Sequence, residues 1–450
     1  MFSITNPFNQ NFLSEYQYIT DSQAISELES SDKIYNVWKT SSLQYRLKFI
    51  KNLIFELSEQ KQTLAEQCTL EMGKPIKQAI AEVEKCKLLC SYYLDNAASF
   101  LSADDKDSDG SESYVVYEPI GVILGVMPWN FPYWQVFRFA IPALIAGNTV
   151  VVKHASNVAG CGILLEKLFV QAGFPGGVYK NLLISGKQVA HIVEHPVIRG
   201  VSVTGSEKAG ASVAKTAAGL IKKSVLELGG SNAFIILEDA DINEAVETAV
   251  TARMQNTGQS CIAAKRFIVH HTIYEEFTDK FKKAIADLKK GNPMDEDTYI
   301  GPLARVDLAE DLEKQVNKSV AMGARVIIGG ERNEAFYTPT LLTEVTPDMP
   351  VFKEEVFGPV APVIPFRTFD EAVALSNNTD FGLGVTIFTK DIYDIKQKIQ
   401  LFDEGAVFIN ALVKSDPALP FGGVKKSGYG RELAENGIKE FVNVKTVYIK

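Results

Sequence analysis

The chain has 450 residues, too many for one ordinary hydrophobic core, so two or three domains are expected. An apolar content of 46% and a charged content of 22% are those of a water-soluble globular protein. A net charge of −9 gives no basis for nucleic-acid binding, and no stretch reaches the roughly 18 uncharged apolar residues of a membrane span.

Met1 to Pro7 show neither a basic segment followed by an apolar one nor an Arg-rich amphipathic pattern, so no secretory signal or transit peptide is expected. Leu47, Ile50, Leu53, Ile54 and Leu57 recur at three and four, which predicts a helix over 43–70. Gly73 and Pro75 end it, and a second helix is expected from Ile76 to Phe100. Cys86 and Cys90 lie one turn apart on that helix with no partner residues for a metal, so they read as packing. Ser102 to Ser113 is polar and glycine-containing, a linker or hairpin tip, and Tyr114–Tyr117 reads as an exposed strand.

From Gly121 onward short apolar strands alternate with helices, the βαβ pattern of a parallel sheet. Val122–Val126, Thr149–Val152 and Gly200–Thr204 form one series. Phe234–Leu237, Phe267–Val269, Arg325–Ile328, Val385–Phe388 and Val407–Ile409 form a second, so Gly229-Gly230 marks a domain boundary. Thr446–Ile449 is a further exposed strand, suited to pairing with a neighbouring subunit. The five cysteines, Cys68, Cys86, Cys90, Cys161 and Cys261, form no CxxC and an odd total, which places the protein in a reducing cytoplasm.

Cys261 lies in Asn256-Thr-Gly-Gln-Ser-Cys261, between a helix-like run (Asp241 to Met254) and the strand at Phe267. Small polar residues and Gly258 build a tight turn there, the setting of a presented thiol rather than of a packed one. Glu227 sits in Val225-Leu-Glu-Leu-Gly-Gly230. The two segments together resemble the aldehyde dehydrogenase superfamily, and the resemblance runs from about residue 20 to the end. It implies an α/β fold with a Rossmann-type cofactor domain (1–103 and 122–229), an α/β catalytic domain (230–425) and a small β oligomerisation element (104–121 and 426–450).

In that family a thiolate adds to the aldehyde, hydride leaves for a nicotinamide, and water cleaves the resulting thioester. The resemblance makes Cys261 the nucleophile, Glu227 the general base, and Asn130, in Pro128-Trp-Asn-Phe-Pro132, the oxyanion donor. It assigns the cofactor cleft to Trp129, Asn130, Lys153, Gly205, Ser206, Leu228, Glu355 and Phe357. Thr204-Gly205-Ser206 also follows a strand and opens a helix, as a phosphate site requires. After Lys153 the family commonly has Pro-x-Glu, and here His154-Ala155-Ser156 replaces it. With that carboxylate gone and a hydroxyl in its place, NADP is expected to be preferred and NAD usable.

Within the family the chain is most similar to short bacterial succinate-semialdehyde dehydrogenases, through Trp134 to Arg138 and Lys153 to Asn157. Arg138 is the only charged residue between Gly121 and Val152, so it must meet a carboxylate, reach solvent or wait for a ligand. The expectation is that it binds the far carboxylate of succinate semialdehyde, with Phe131 and Trp134 lining the slot and Ser415 adding a hydrogen bond. A second arginine of some relatives is Gln255 here. A broader enzyme for other short aldehydes, such as glutarate semialdehyde, is the alternative. A Cys–His hydrolase lacks a histidine motif near the thiol, and an acyl-CoA-forming relative would have replaced Glu227. No metal is expected, and a homodimer or homotetramer is.

Overall fold

A computed structural model describes all 450 residues. Most strands after Gly121 fall into two large sheets; a third, three-stranded sheet and two two-stranded hairpins are separate from them. The first sheet has the order Gly428–Tyr429, Lys223–Glu227, Ile198–Thr204, Val122–Met127, Thr149–His154, Tyr179–Asn181. All neighbours run parallel except Gly428–Tyr429. Val122–Met127 comes first in the chain among the parallel strands yet lies in the middle. The connections therefore leave it in opposite directions, and a crevice opens beyond its C-terminal end and that of Ile198–Thr204. Into that crevice run the Pro128–Pro132 loop and the Gly205-Ser206 turn.

The second sheet has seven strands in the order Arg325–Ile328, Thr340–Thr343, Val360–Phe366, Ala264–His270, Asn232–Ile236, Val385–Phe388, Val407–Ile409. Only Arg325–Ile328 is antiparallel to its neighbour. The third sheet is antiparallel, with Val442–Ile449 on one edge, Glu112–Pro119 in the centre and Asp104–Asp105 on the other edge. Residues 102–113 are thus the expected hairpin tip.

Helix Trp134–Ala146 is apolar on all sides apart from Gln135 and Arg138, and every residue in it is buried. It packs between the first sheet and the Ile76–Phe100 helix, whose ends fall where the spacing places them. The helix expected over 43–70 is two, Leu43–Glu59 and Lys61–Met72, broken at Gln60 (φ −101°, ψ 9°). The apolar stripe reads straight through the break because both pieces pack on Ile76–Phe100. No helix is long and apolar enough to cross a membrane.

Candidate active site

Asp241 caps helix Ile242–Met254, its carboxylate accepting from the N–H groups of Asn243 and Glu244. Beyond Met254 the chain turns through Asn256 and Thr257, both at φ 54°, a left-handed conformation that is strained for a β-branched residue. Gly258 follows at φ 73°, where a Cβ would collide with the Gly358 carbonyl. The surroundings hold this strain in place. Asn256 Nδ2 donates to Asn130 O (2.9 Å) and Gln259 O (3.1 Å), and Thr257 Oγ1 accepts from Gly301 N (3.1 Å). The fully buried Arg253 donates to Ala264 O (3.0 Å), Gly258 O (2.7 Å) and Gly358 O.

Lys265, also fully buried, donates to the Cys261 carbonyl (2.8 Å) and to Glu355 Oε1 (3.0 Å). It pins the Cys261 backbone to the Glu355 carboxylate. Sequence reasoning passed over Lys265, although a cation opening an apolar strand must find acceptors somewhere.

Cys261 precedes the Ala264–His270 strand of the second sheet, and Glu227 ends the Lys223–Glu227 strand of the first. They face each other across one cleft. Burial pushes the Cys261 thiol above its ordinary range, while Arg138 and Lys265 pull it back. Glu227 is almost fully buried and its Oε1 has no hydrogen-bond partner. Burial first, and the neighbouring Glu432 carboxylate second, push its pKa well above the carboxylate range, against Arg138 and Arg431. A thiol that holds its proton thus stands near a carboxylate strengthened as a base. Asn130 completes the group, its Nδ2 donating to Gln259 O at 3.1 Å beside the same cleft.

Cys261 lies at the meeting point of two cavities. The first, about 250 Å³, is lined by Trp129, Asn130, Gly205, Ser206, Glu227, Leu228, Glu355 and Phe357. The second, about 180 Å³, is lined by Phe131, Trp134, Arg138, Ser415, Gln255, Lys85 and Phe421 among others. The structure thus gathers Trp129, Asn130, Gly205, Ser206, Leu228, Glu355 and Phe357 on one side of the thiol and Phe131, Trp134, Arg138 and Ser415 on the other, while Lys153, Ala155 and Ser156 line neither cavity.

The first cavity fits a dinucleotide. Ser206 caps helix Glu207–Gly219, whose N-terminus opens on the cleft. A Cβ at Gly205 would meet only Ala209 Cβ, at 4.0 Å, so packing within the chain does not require glycine there and backbone can approach a ligand closely. Glu355 Oε1 is held by Gly230 N and Lys265, and Trp129 and Phe357 meet edge to face at 5.7 Å. Lys153 is half-buried with its pKa lowered by burial, and it makes no ion pair. Nearby, the Ser156 hydroxyl, next to the half-buried Ala155, lies 2.8 Å from that of Tyr18. Tyr18 escaped the sequence reading because 138 residues separate the pair.

Two expectations need correction. His154 does not offer its side chain to the cleft. The imidazole is buried between Pro132 O (3.2 Å) and the Asn181 amide (3.1 Å), and burial holds its pKa down to about 4. Neutral and fully engaged, it ties the strand end to the Pro128–Pro132 loop. Arg138 does not wait for a ligand either. Its Nε lies 2.7 Å from Glu432 Oε2 in a buried ion pair, and its guanidinium stacks 4.5 Å over Phe421. It borders the second cavity with its charge already matched. Phe131 lies under the Lys74 ammonium at 3.9 Å, and Trp134 Nε1 donates to Ser415 Oγ at 3.0 Å.

Comparison with known proteins agrees with this geometry. The model of the aldehyde dehydrogenase family matches residues 1–447. A Synechocystis protein named "Probable succinate-semialdehyde dehydrogenase (NADP(+))" is 48% identical over 427 residues, covering 94% of each chain. An Escherichia coli succinate semialdehyde dehydrogenase (NAD(P)+) is 44% identical, over 91% of this chain and 90% of its own. The solved Streptococcus pyogenes succinic semialdehyde dehydrogenase in complex with NADP+ superposes over all of both chains with a TM-score of 0.97 at 36% identity. The chain is a member of the aldehyde dehydrogenase family.

Proposed function

We propose that the protein oxidises succinate semialdehyde to succinate, with NADP preferred over NAD. One observation carries this reading: the Cys261 thiol stands between a cleft on which a helix N-terminus opens and a second cavity whose lining includes Lys85, Arg138 and Ser415. Glu227 takes the Cys261 proton, and the thiolate adds to the aldehyde carbon. Asn130 Nδ2 and the Cys261 backbone N–H stabilise the alkoxide of the thiohemiacetal. A nicotinamide held in the cleft would supply hydride acceptance, and Cys261 would keep the acyl group as a thioester. Once Glu227 has passed the thiol proton to solvent, it draws another from the water that attacks the thioester, the C–S bond breaks to return the Cys261 thiolate, and succinate departs. Trp129, Leu228, Glu355 and Phe357 would hold the nicotinamide half. Gly205 and Ser206 would hold the pyrophosphate, and Lys153, Ala155 and Ser156 the adenosine ribose with its 2′-phosphate.

The relatives named for succinate semialdehyde and NADP support both assignments. The aromatic walls of the second cavity, Phe131, Trp134 and Phe421, also admit an uncharged chain, which supports a broader aldehyde range as second reading. Rates on succinate semialdehyde, glutarate semialdehyde and butanal with both cofactors test the two. The proposal expects the highest kcat/KM for succinate semialdehyde with NADP, and equal values for butanal would end it. Ser156→Glu, which restores a carboxylate facing the ribose, is expected to shift the cofactor preference toward NAD by tenfold or more. We also assign assembly as a homodimer or homotetramer to the third sheet, whose edge strand leaves Val444, Tyr448 and Ile449 exposed.

A further inference from the structure

We infer that Lys85, together with the Ser415 hydroxyl, is the group that binds the distal carboxylate of the substrate, in place of Arg138. The inference rests on the semialdehyde reading and names the residue that enforces it. Each of the other cations at the second cavity already has a carboxylate. Arg138 pairs with Glu432 at 2.7 Å, and Lys414 with Asp416 at 3.3 Å. Lys74, behind Phe131, pairs with Glu82. Lys85, on the Ile76–Phe100 helix, makes no ion pair. Its ammonium lies 4.3 Å over the Trp134 ring and donates one hydrogen bond, to Ser415 Oγ at 2.8 Å. Two of its three N–H groups are left over.

Ser415 points the same way. It is 3% exposed, and its oxygen accepts from both Lys85 Nζ and Trp134 Nε1, which uses both lone pairs. Its own O–H is therefore free to donate, and no acceptor in the chain takes it. A half-buried ammonium with two spare donors and a hydroxyl with one, side by side on an aromatic floor, match the two oxygens of a carboxylate. Gln255, which lines the same cavity, brings no charge, so the missing second arginine is replaced by a lysine from a different helix.

Burial draws the Lys85 pKa down to about 8, with Arg138 on the adjoining helix adding to that and Glu82, Cys86 and Asp416 opposing it. The lysine is thus charged at neutral pH and discharges in the alkaline range.

The test compares succinate semialdehyde with butanal at saturating NADP in wild type, Lys85→Met and Lys85→Arg. Lys85→Met is expected to lower the semialdehyde-to-butanal ratio of kcat/KM by roughly 10- to 150-fold, through KM rather than kcat, as for a lost charged hydrogen bond. Lys85→Arg is expected to restore most of the ratio. The wild-type ratio should also fall above pH 8, and that fall should vanish in Lys85→Arg, whose charge persists. A wild-type ratio retained in Lys85→Met overturns the Lys85 assignment alone, and so does an equal loss on both aldehydes that Lys85→Arg fails to repair. A wild-type enzyme with no preference for the semialdehyde overturns the substrate reading beneath it.

Discussion

Glu82 and Glu227 are both almost fully buried carboxylates, one in the wall of each cavity that meets Cys261. Glu82 is saturated. It pairs with Lys74 through one oxygen and accepts from Tyr133 N (2.9 Å) and Trp134 N (3.0 Å) through the other. Glu227 has an oxygen without any partner, and the charged neighbour that weighs on it most is another carboxylate, Glu432. Saturation makes Glu82 a staple. It fastens the start of the Trp134–Ala146 helix, and with it the Asn130 loop, to the Ile76–Phe100 helix. Deprivation makes Glu227 a base, because an ionised carboxylate left unsolvated gains by taking a proton.

The strongest way to break the comparison is to remove the base. Glu227→Gln is expected to slow turnover by roughly 10²- to 10⁴-fold, as loss of a general base does. Acylated Cys261 should then accumulate and be visible by mass spectrometry, whereas Cys261→Ala should form no adduct and no product. Free Cys261 at steady state in Glu227→Gln would place the carboxylate's role before acylation only. The same substitution should also stabilise the fold. The folded pKa of Glu227 lies above its unfolded value, so its contribution is fully present below the ordinary carboxylate pKa and is lost as pH rises through the folded value. The variant should therefore unfold with about 1–3 kcal/mol more difficulty than wild type at pH 8, and the gap should close toward pH 4.

Lys74→Met tests the opposite member. It leaves Glu82 buried with its charge unmatched, and breaking such a pair costs about 3–5 kcal/mol. Urea unfolding should show that loss at neutral pH. A change under about 1 kcal/mol would mean that the two backbone N–H groups alone satisfy Glu82. One buried carboxylate should thus be missed when its partner goes, and the other should be better absent from the standpoint of stability.

The contrast also explains what could be read from the residues in order. Cys261, Glu227 and Asn130 lie in local signatures, and a turn built of Asn256, Thr257 and Gly258 advertises the strain that presents the thiol. The strands of continuous apolar residues were equally plain. Val360–Phe366 was not, because Pro362 and Pro365 read as breaks. The strand tolerates them by changing neighbours. Its first half pairs with Thr340–Thr343 up to Pro362, and its second half with Ala264–His270. Partner choice among buried charges was the least legible feature. Arg138 announces that it needs an anion, but nothing near it in the chain identifies Glu432, and Lys85 looks like any solvated lysine until Ser415, 330 residues on, folds against it. Such pairings are decided by packing between elements, where local pattern carries no information.

Tyr18 is the mildest case of the same rule and offers the smallest test. Its ring stacks on Phe2 at 4.3 Å, so the N-terminal hairpin of Phe2–Thr5 and Phe12–Tyr16 carries it to the Ser156 hydroxyl. Tyr18→Phe removes one hydroxyl and keeps that stack. The cost should be that of a single neutral hydrogen bond, about 0.5–1.5 kcal/mol, or roughly a two- to tenfold rise in KM. On the proposed assignment of Ser156 to the adenosine ribose, a hydroxyl fixed by Tyr18 would serve the 2′-phosphate. The rise should therefore fall on NADP and spare NAD. Steady-state KM for both cofactors decides it: an equal rise would make Tyr18 a wall of the adenosine site, and a rise confined to NADP makes it the support of the hydroxyl that selects the phosphate.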